Sequence, residues 1–272
     1  MSELKHKVKR VLFFDSGVGG LSVYKEVARH NPDIETYFVF DNECFPYGEK
    51  DESFLIERID NVISRAVERF DLSAIVVACN TASTIALPVL RKNNSLPIVG
   101  VVPAVKPAAM LSQKGIIGLL ATPGTVKRQY TKQLIDDFAR NCEVIAVGDK
   151  TLATIAEKRM ISGDVDKEGI RKALMPFLSL PEQKQPDVIV LGCTHYPLLQ
   201  DVMKEIMPDV RFIDSGEAIG RRVRSLLDAR DVKVFDTDVI ENKAFYTGIL
   251  KEPEQRKLLF SRFGFNVLER LL

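Results

Sequence analysis

The chain has 272 residues, of which 28% are charged, and its formal net charge is +1. This length is enough to bury a sizeable core and suits one large domain or two small ones. Because the charge is balanced and forms no basic stripe, neither nucleic acid nor an anionic membrane is an expected partner.

Apolar runs typical of strands alternate with helix-period segments along the chain. The predicted strands are VKRVLFFD (8–15), ETYFVFD (35–41), AIVVAC (74–79), PIVGVV (97–102), GIIGLLAT (115–122), CEVIAVG (142–148), DVIVLGC (187–193), VRFIDSG (210–216) and AFYTG (244–248). This alternation predicts an α/β fold of βαβ units on a mostly parallel sheet. The runs are continuously apolar, as expected of strands that helices cover on both faces.

The order of the segments indicates an internal duplication. VLFFDSGVGG resembles GLLATPGTVK, and DLSAIVVACNTAS resembles PDVIVLGCTHYPL, in the same order and at similar spacing. Two matches in one order are better evidence than a single similarity. We therefore predict two pseudo-symmetric α/β domains, the first formed by residues 1–100 plus 214–272 and the second by residues 101–213.

Membrane insertion and export are not indicated. No apolar run approaches the length of a membrane span, and residues 11–14 are too short for the core of a signal peptide. A cytoplasmic protein is therefore predicted. The chain has four cysteines, Cys44, Cys79, Cys142 and Cys193, which lie far apart and form no CxxC pair. Neither a zinc site nor a disulfide framework is indicated, so free thiols are expected.

Cys79 and Cys193 occupy equivalent positions, each at the end of a predicted strand. Ligands of open α/β sheets bind beyond the carboxyl ends of strands. A helix N-terminus nearby favours the thiolate and can lower the pKa of the thiol. The ordinary alternative is a buried apolar filler, which we expect for Cys142 and, with less support, for Cys44. The residues that follow the pair are polar: Asn80, Thr81, Thr194 and His195.

The loop DSGVGGLS (15–22) imitates a dinucleotide-binding fingerprint. The match fails at Ser22, where a third glycine is required, and Asp15 would repel a pyrophosphate. The alternative is that Asp15 and Ser16 face a small ligand, while Gly17, Gly19 and Gly20 let the backbone approach it closely. A third possibility, that Asp15 only caps a helix, remains open.

Cys193 and His195, taken alone, could form a hydrolase nucleophile with its base. Cys79 supplies a second thiol at the equivalent strand end of the first half. The pair of thiols favours two-base chemistry over a single nucleophile.

The segments together resemble the cofactor-independent glutamate racemases of bacteria. The resemblance rests on FDSGVGGLSV (14–23), DNECFPYGEK (41–50), ACNTAS (78–83), GLLATPGTV (118–126), LGCTHYPLL (191–199) and DSGEAIGRRV (214–223). Histidine after the second cysteine resembles the glutamate branch rather than the aspartate branch of the superfamily. GVVPAVKPAAM (100–110), with Ala104, resembles a proteobacterial-type subgroup.

The resemblance implies an active site in the cleft between the two domains, without pyridoxal phosphate, metal or nucleotide cofactor. Inverting Cα requires a proton to leave one face and another to arrive at the opposite face, so two bases on opposite walls are expected. By resemblance, Cys79 is the base toward D-glutamate and Cys193 the base toward L-glutamate. Asp15 would support Cys79, and His195 would support Cys193.

The resemblance also implies the substrate contacts and partners. The substrate-binding residues it indicates are Asp15, Ser16, Tyr47, Gly48, Asn80, Thr81, Thr194 and His195. A structural hydrogen bond remains the alternative for His195, and turn packing the alternative for Tyr47. The expected substrate is L- or D-glutamate, used for peptidoglycan. Activation by a UDP-muramyl precursor and a homodimer are both compatible with the subgroup. No site is assigned within residues 151–180.

Two other functions remain compatible with the sequence. One is a racemase of another acidic amino acid, such as aspartate. The other is a non-catalytic bilobed ligand-binding protein, since two α/β lobes around a cleft describe both classes. The two strand-end thiols and the lack of an export signal count against a binding protein.

Overall fold

The computed structural model describes residues 6–229 and 231–271. The strands in this part of the chain are β1 (His6–Asp15), β2 (Ile34–Phe40), β3 (Ala74–Val77), β4 (Ile98–Gly100), β5 (Ile116–Ala121), β6 (Glu143–Gly148), β7 (Val188–Leu191), β8 (Arg211–Ile213), β9 (Phe235–Thr237), β10 (Asn242–Tyr246) and β11 (Phe265–Arg270).

Helices connect most of these strands. They are α1 (Leu21–His30), α2 (Glu52–Arg69), α3 (Asn80–Asn93), α4 (Val105–Leu111), α5 (Pro123–Lys127), α6 (Gln129–Phe138), α7 (Leu152–Ser162), α8 (Lys167–Leu178), α9 (Gln200–Ile206), α10 (Gly216–Leu227) and α11 (Pro253–Arg262). Short 3-10 turns occupy Tyr47–Glu49, Glu182–Lys184 and Tyr196–Leu199. Of the helices described, none has the length and apolar character needed to cross a bilayer.

The strands form two sheets. The first has the order β11-β10-β2-β1-β3-β4, with β9 pairing antiparallel to β1, and the second has the order β6-β5-β7-β8. All other pairings are parallel. We call the first sheet with α1, α2, α3, α10 and α11 the first lobe, and the second sheet with α4 to α9 the second lobe.

The predicted α/β class and its pseudo-symmetry are confirmed. The order β2-β1-β3-β4 in the first sheet repeats as β6-β5-β7-β8 in the second. Asp15 and Thr122 therefore lie at the ends of equivalent strands, as do Cys79 and Cys193. Two strands, β9 and β11, were not predicted from the sequence, and both extend the first sheet.

The chain passes between the lobes twice. After β4 it enters α4, which packs on β5 and β7, and after β8 it enters α10, which packs on α1. The exact division into residues 1–100 plus 214–272 and residues 101–213 stays a prediction, and residues 1–5, 230 and 272 lie outside the described part.

Each face of the first sheet is covered by helices, as the continuous apolar runs predict. In β1, Leu12 and Phe14 pack in one cluster with residues of α2 and α3, while Val11 and Phe13 pack in another with residues of α1. All four side chains are fully buried. Burying side chains of this size stabilises the fold by about 1.5–3 kcal/mol each, so the strand ends are carried on a rigid frame.

Candidate active site

A small cavity lies between the lobes, where the carboxyl ends of β1 and β3 face those of β5 and β7. Its volume is about 20 Å³, which is room for roughly one water molecule. The predicted site residues that line it are Ser16, Tyr47, Gly48, Cys79, Asn80, Thr81, Cys193, Thr194 and His195. Asp15 is the one predicted site residue that does not line the cavity; it lies fully buried behind Ser16.

Cys79 is the residue immediately before α3, and its thiol is 3.9 Å from Oγ of Ser16. Burial raises the pKa of this thiol well above its ordinary value, and the charge of Asp15 raises it further. The Ala82 N–H, at the start of α3, donates to the sulfur and opposes the shift. The helix start lowers this pKa, as expected, but burial outweighs the helix, so the net shift is upward.

Asp15 holds the loop that follows β1. Its Oδ2 accepts hydrogen bonds from the N–H groups of Gly20, at 2.7 Å, and Gly17, at 3.4 Å. Its Oδ1 is buried and has no hydrogen-bond partner among the described residues. Burial raises the pKa of Asp15, while the charge of His195 and the loop N–H groups oppose that shift. One carboxylate oxygen thus anchors the loop, and the carboxyl group also interacts with the thiol of Cys79.

On the opposite wall, Cys193 is the first member of a buried chain of three side chains. Its Sγ lies 3.8 Å from Nδ1 of His195, and Nε2 of His195 lies 3.1 Å from Oε1 of Glu157. The Val18 N–H also donates to this Oε1, at 2.5 Å, so Glu157 acts as the acceptor. Nε2 of His195 thus faces both Oε1 of Glu157 and the Gly19 N–H, which lies 3.2 Å away, while Nδ1 faces the sulfur of Cys193.

Electrostatics favour an ion pair between His195 and Glu157. Burial lowers the pKa of His195, but its hydrogen bonds with Cys193 and Glu157 outweigh burial and raise that pKa well above the ordinary value. Burial raises the pKa of Glu157, and the hydrogen bond and charge of His195, with the charge of Arg256, lower it overall. Cys193 accordingly has a positively charged side chain beside its sulfur.

The glycines after β1 make room for the second lobe. A Cβ on Gly17 would lie 2.1 Å from Oε1 of Glu157, and a Cβ on Gly19 would lie 2.3 Å from Nδ1 of His195. The sequence prediction was that these glycines let the backbone approach a small ligand. The structure instead brings Glu157 and His195 of the second lobe against them.

The third glycine position of the dinucleotide fingerprint has a role of its own. Ser22 occupies it, and its Oγ donates to the carbonyl of Thr194, at 2.7 Å across the cleft. The loop therefore binds the second lobe through a side chain as well as through the Val18 amide.

Asn80 and Tyr47, two predicted substrate contacts, differ in whether their polar side-chain atoms already have a hydrogen-bond partner. Asn80 begins α3, and its Nδ2 is buried without a hydrogen-bond partner among the described residues, so it can donate to a carboxylate. The Tyr47 hydroxyl already donates to Oδ2 of Asp41, at 2.6 Å, and its ring packs near Phe14. Tyr47 therefore forms a wall of the cavity with its hydroxyl engaged by Asp41.

The cavity also has lining residues that the sequence analysis did not single out. They are Phe45, Pro46, Thr122 and Ala153. Glu157, which contacts His195 directly, was missed as well, because it falls in the segment to which no site was assigned. A signal was present: Glu157 lies on the buried side of α7 with Ala153 and Ala156, where a carboxylate is unexpected.

Within the residues that the structure describes, no group of three or more His, Cys, Asp and Glu side chains is arranged to hold a metal ion.

The fold and the site together define a two-lobed α/β protein with one thiol on each wall of the cleft. A family model described as Asp/Glu/hydantoin racemase matches residues 19–223. The chain belongs to this family.

Several glutamate racemases are similar to the protein over almost the whole chain. A glutamate racemase of Klebsiella pneumoniae is 48% identical over 264 residues, covering 96% of this chain and 91% of the relative. The crystal structure of Escherichia coli glutamate racemase with L-glutamate and the activator UDP-MurNAc-Ala has a TM-score of 0.90 at 46% identity, covering 96% of this chain and 97% of that one. Glutamate racemase RacE1 of Bacillus anthracis has a TM-score of 0.79 at 28% identity, covering 95% and 96%.

Proposed function

We propose that the protein is a glutamate racemase that interconverts L- and D-glutamate by proton transfer at Cα. The observation that carries the proposal is the pair of thiols, Cys79 of the first lobe and Cys193 of the second, lining one cavity from equivalent strand ends. Relatives at 46–48% identity over 96% of the chain carry that name, which supports glutamate as the substrate.

The reaction needs a base on one face of Cα and an acid on the other. For L-glutamate, the Cα–H bond breaks toward the Cys193 thiolate, an S–H bond forms there, and the electron pair stays on Cα and its carboxylate. The S–H bond of Cys79 then breaks, and its proton bonds to Cα from the opposite face. The product is D-glutamate, with Cys79 as the thiolate and Cys193 as the thiol.

The two walls differ in a way that suits this starting state. Cys79 is buried beside Asp15, and its raised pKa favours the neutral thiol, the acid for L-glutamate. Cys193 faces a histidine whose pKa is raised, so a cation lies beside the sulfur that we propose as the base for the same substrate. Asp15 and His195 are thus positioned to support one cysteine each, as the resemblance implies.

Substrate carboxylates need hydrogen-bond donors inside the cleft. Asn80 and Thr81 begin α3, so the free N–H groups of this helix start point toward the cavity that they line. Together with Nδ2 of Asn80 they form the carboxylate site that we propose, and Ser16 and Thr194 extend it on either side.

Exchange of the Cα hydrogen tests the function. The wild-type protein, incubated in deuterated water with either glutamate enantiomer and no added cofactor, is expected to incorporate deuterium and to lose optical rotation. Cys79→Ser and Cys193→Ser each remove one acid–base group, so racemisation should fall about 10²- to 10⁴-fold. Proton NMR of the Cα position and polarimetry measure the two quantities.

Cys142→Ser is the matched control, because Cys142 lies outside the cavity and is only half-buried. Its turnover should equal that of the wild type. Absence of exchange on both enantiomers with wild-type protein would overturn the proposal. Faster turnover of aspartate than of glutamate would show that aspartate, rather than glutamate, is the preferred substrate. Normal turnover in either cavity-cysteine variant would remove that cysteine from the mechanism.

The same relatives support the biological context of the proposal. D-glutamate is a component of peptidoglycan, and the Escherichia coli relative was crystallised with a peptidoglycan precursor as its activator. We extend to this protein a role in peptidoglycan synthesis and activation by UDP-MurNAc-Ala. The four free cysteines, two of them in the proposed site, suit the reducing cytoplasm where we place the enzyme.

A further inference from the structure

Arg256 lies on α11 in the first lobe, and its guanidinium reaches across to the second lobe. Its Nη1 is 3.4 Å from Oε2 of Glu157 on α7, and the Arg256 side chain is only 12% exposed. Glu157 also accepts from Val18 and contacts His195, but both of those contacts involve Oε1. Among the described residues, Arg256 is therefore the one partner of Oε2.

The backbone before α11 fixes the guanidinium in this place. Nε of Arg256 donates to the carbonyl of Lys251, at 3.1 Å. Glu252, between them, has a φ of 50°, in the left-handed region that residues other than glycine rarely adopt. Such strained positions persist where the surroundings over-determine them, and they cluster at functional sites.

The charge of Arg256 matters because Glu157 and His195 are both buried. Glu157, His195 and the Cys193 thiolate together carry one net negative charge, and Arg256 compensates for it. Without this cation the buried cluster would bind a further proton more tightly. If that proton bound to the sulfur of Cys193, the thiolate that we propose as the base would be lost.

We propose that Arg256 is a positioning residue for the Cys193 side of the site: it orients and neutralises Glu157, whose other oxygen holds His195 beside the Cys193 sulfur. Arg256 acts through Glu157 and does not touch the cavity. Because Arg256 and Glu157 belong to different lobes, the chain of contacts is complete only when the lobes are closed. The inference deepens the proposed function and rests on it for the kinetic test, but not for the chemical one.

The chemical test measures the thiolate at Cys193 directly. Iodoacetamide reacts with the thiolate, so the rate of alkylation at Cys193, read by peptide mass spectrometry, follows its thiolate fraction. Arg256→Met should lower this rate about tenfold, the effect of a one-unit rise in the proton affinity of the thiol. Alkylation of Cys142 in the same sample is the internal standard. This readout needs no substrate, so it stands even if the protein does not racemise glutamate.

The kinetic test identifies which wall is affected. The two enantiomers have equal free energy in water, so a variant must lower kcat/KM equally in both directions. We expect that fall to be about 10- to 100-fold for Arg256→Met. A defect confined to the Cys193 side makes proton removal from L-glutamate more rate-limiting. The deuterium isotope effect on kcat/KM should therefore rise with L-[2-²H]glutamate and fall with D-[2-²H]glutamate.

Lys257→Met is the matched control, since Lys257 is the next residue on α11 and its one ion-pair partner within the described residues is the exposed Glu254. Arg256→Lys keeps a positive charge without the planar fork and should retain more activity than Arg256→Met. If Arg256→Met does not fold, Arg256→Lys is compared with Lys257→Met in both tests. Cys193 alkylation and isotope effects equal to those of the control would overturn the inference, even if turnover fell.

Discussion

The carboxylate of Asp15 is buried, but only one of its two oxygens is hydrogen-bonded within the described part of the chain. Its carboxylate is fully buried, yet one oxygen has no hydrogen-bond partner among the described residues, and an unpaired buried charge destabilises a fold. The loop N–H groups of Gly17 and Gly20 compensate only the other oxygen. We interpret the free oxygen as a group kept for Cys79 at some expense of stability.

Asp15→Asn tests that interpretation through the pH dependence of stability. The raised pKa means that the folded protein binds this proton more tightly than the unfolded chain, where Asp has a pKa of about 3.9. The resulting stabilisation is present at low pH and is lost as the pH rises above about 4 through the raised folded pKa. Relative to the wild type, the variant should therefore gain free energy of unfolding with rising pH, while kcat/KM falls about tenfold or more.

Urea denaturation at a series of pH values from about 4 to 8 measures the difference between wild type and variant. Asp209→Asn, at an exposed position, is the control and should show no such trend. A stability difference that is constant with pH would mean that Asp15 does not titrate differently in the folded state.

A site residue could be predicted when its role follows from its neighbours in the sequence. It could not be predicted when its role arises from contacts between distant segments. Cys79 and Cys193 were predictable because each follows a strand, and the duplication places them together. Glu157 and Arg256 were not, because their roles arise where α7 and α11 of different lobes meet. The net rise in the pKa of Cys79 was not predictable either, since a helix start can be read from the sequence but burial beside Asp15 cannot.

At the level of elements, the loop between β1 and α1 is the contact surface for the opposite lobe. Its backbone amide at Val18 binds Glu157, Ser22 binds the carbonyl of Thr194, and Gly19 lies against the ring of His195. The glycine pattern that imitates a dinucleotide fingerprint is thus explained by the close approach of the second lobe to this loop.

Gly19→Ala tests the role of that close approach. A methyl group would lie 2.3–2.6 Å from three atoms of the His195 ring, so the ring must move away from its present contacts with Cys193 and Glu157. A displacement of about 1 Å at a catalytic group can lower the rate about 10²-fold, and we expect a fall in kcat/KM of that order. Steady-state kinetics with both enantiomers measure it.

Gly169→Ala is the matched control in the second lobe. Its methyl group would meet the Asp166 side chain at the start of α8, outside the cavity, so it should lower thermal stability without lowering kcat/KM. If Gly19→Ala behaved in the same way, His195 would not need its present position for activity.

The elements themselves were predicted to different degrees for identifiable reasons. Long apolar runs such as β1 and β5 were located to within a residue or two at their ends near the site. β9 and β11 were missed because they are edge strands with few buried residues: β11 has the pattern FNVLER, in which only Phe265 is fully buried. Hydrophobic continuity predicts a covered central strand but gives little signal at an edge.

For the molecule as a whole, the size of the cavity implies motion of the lobes. Room for roughly one water molecule is far less than glutamate needs, with its ten or so non-hydrogen atoms of about that size each. The lobes are joined by contacts that can separate without unfolding either sheet, among them the Val18–Glu157 and Ser22–Thr194 hydrogen bonds. Opening along this surface is therefore the route by which we expect substrate to enter.

Amide hydrogen exchange distinguishes lobe opening from unfolding. The Val18 N–H donates across the cleft to Glu157, whereas the Gly20 N–H, in the same loop, donates to Asp15 within the first lobe. Opening breaks the first hydrogen bond and leaves the second intact, so Val18 should exchange faster than Gly20, and both faster than Phe13 in the centre of the sheet. NMR-detected exchange without substrate measures all three. Equal protection of Val18 and Phe13 would mean that the lobes separate only on global unfolding, and substrate would then need another path into the cavity.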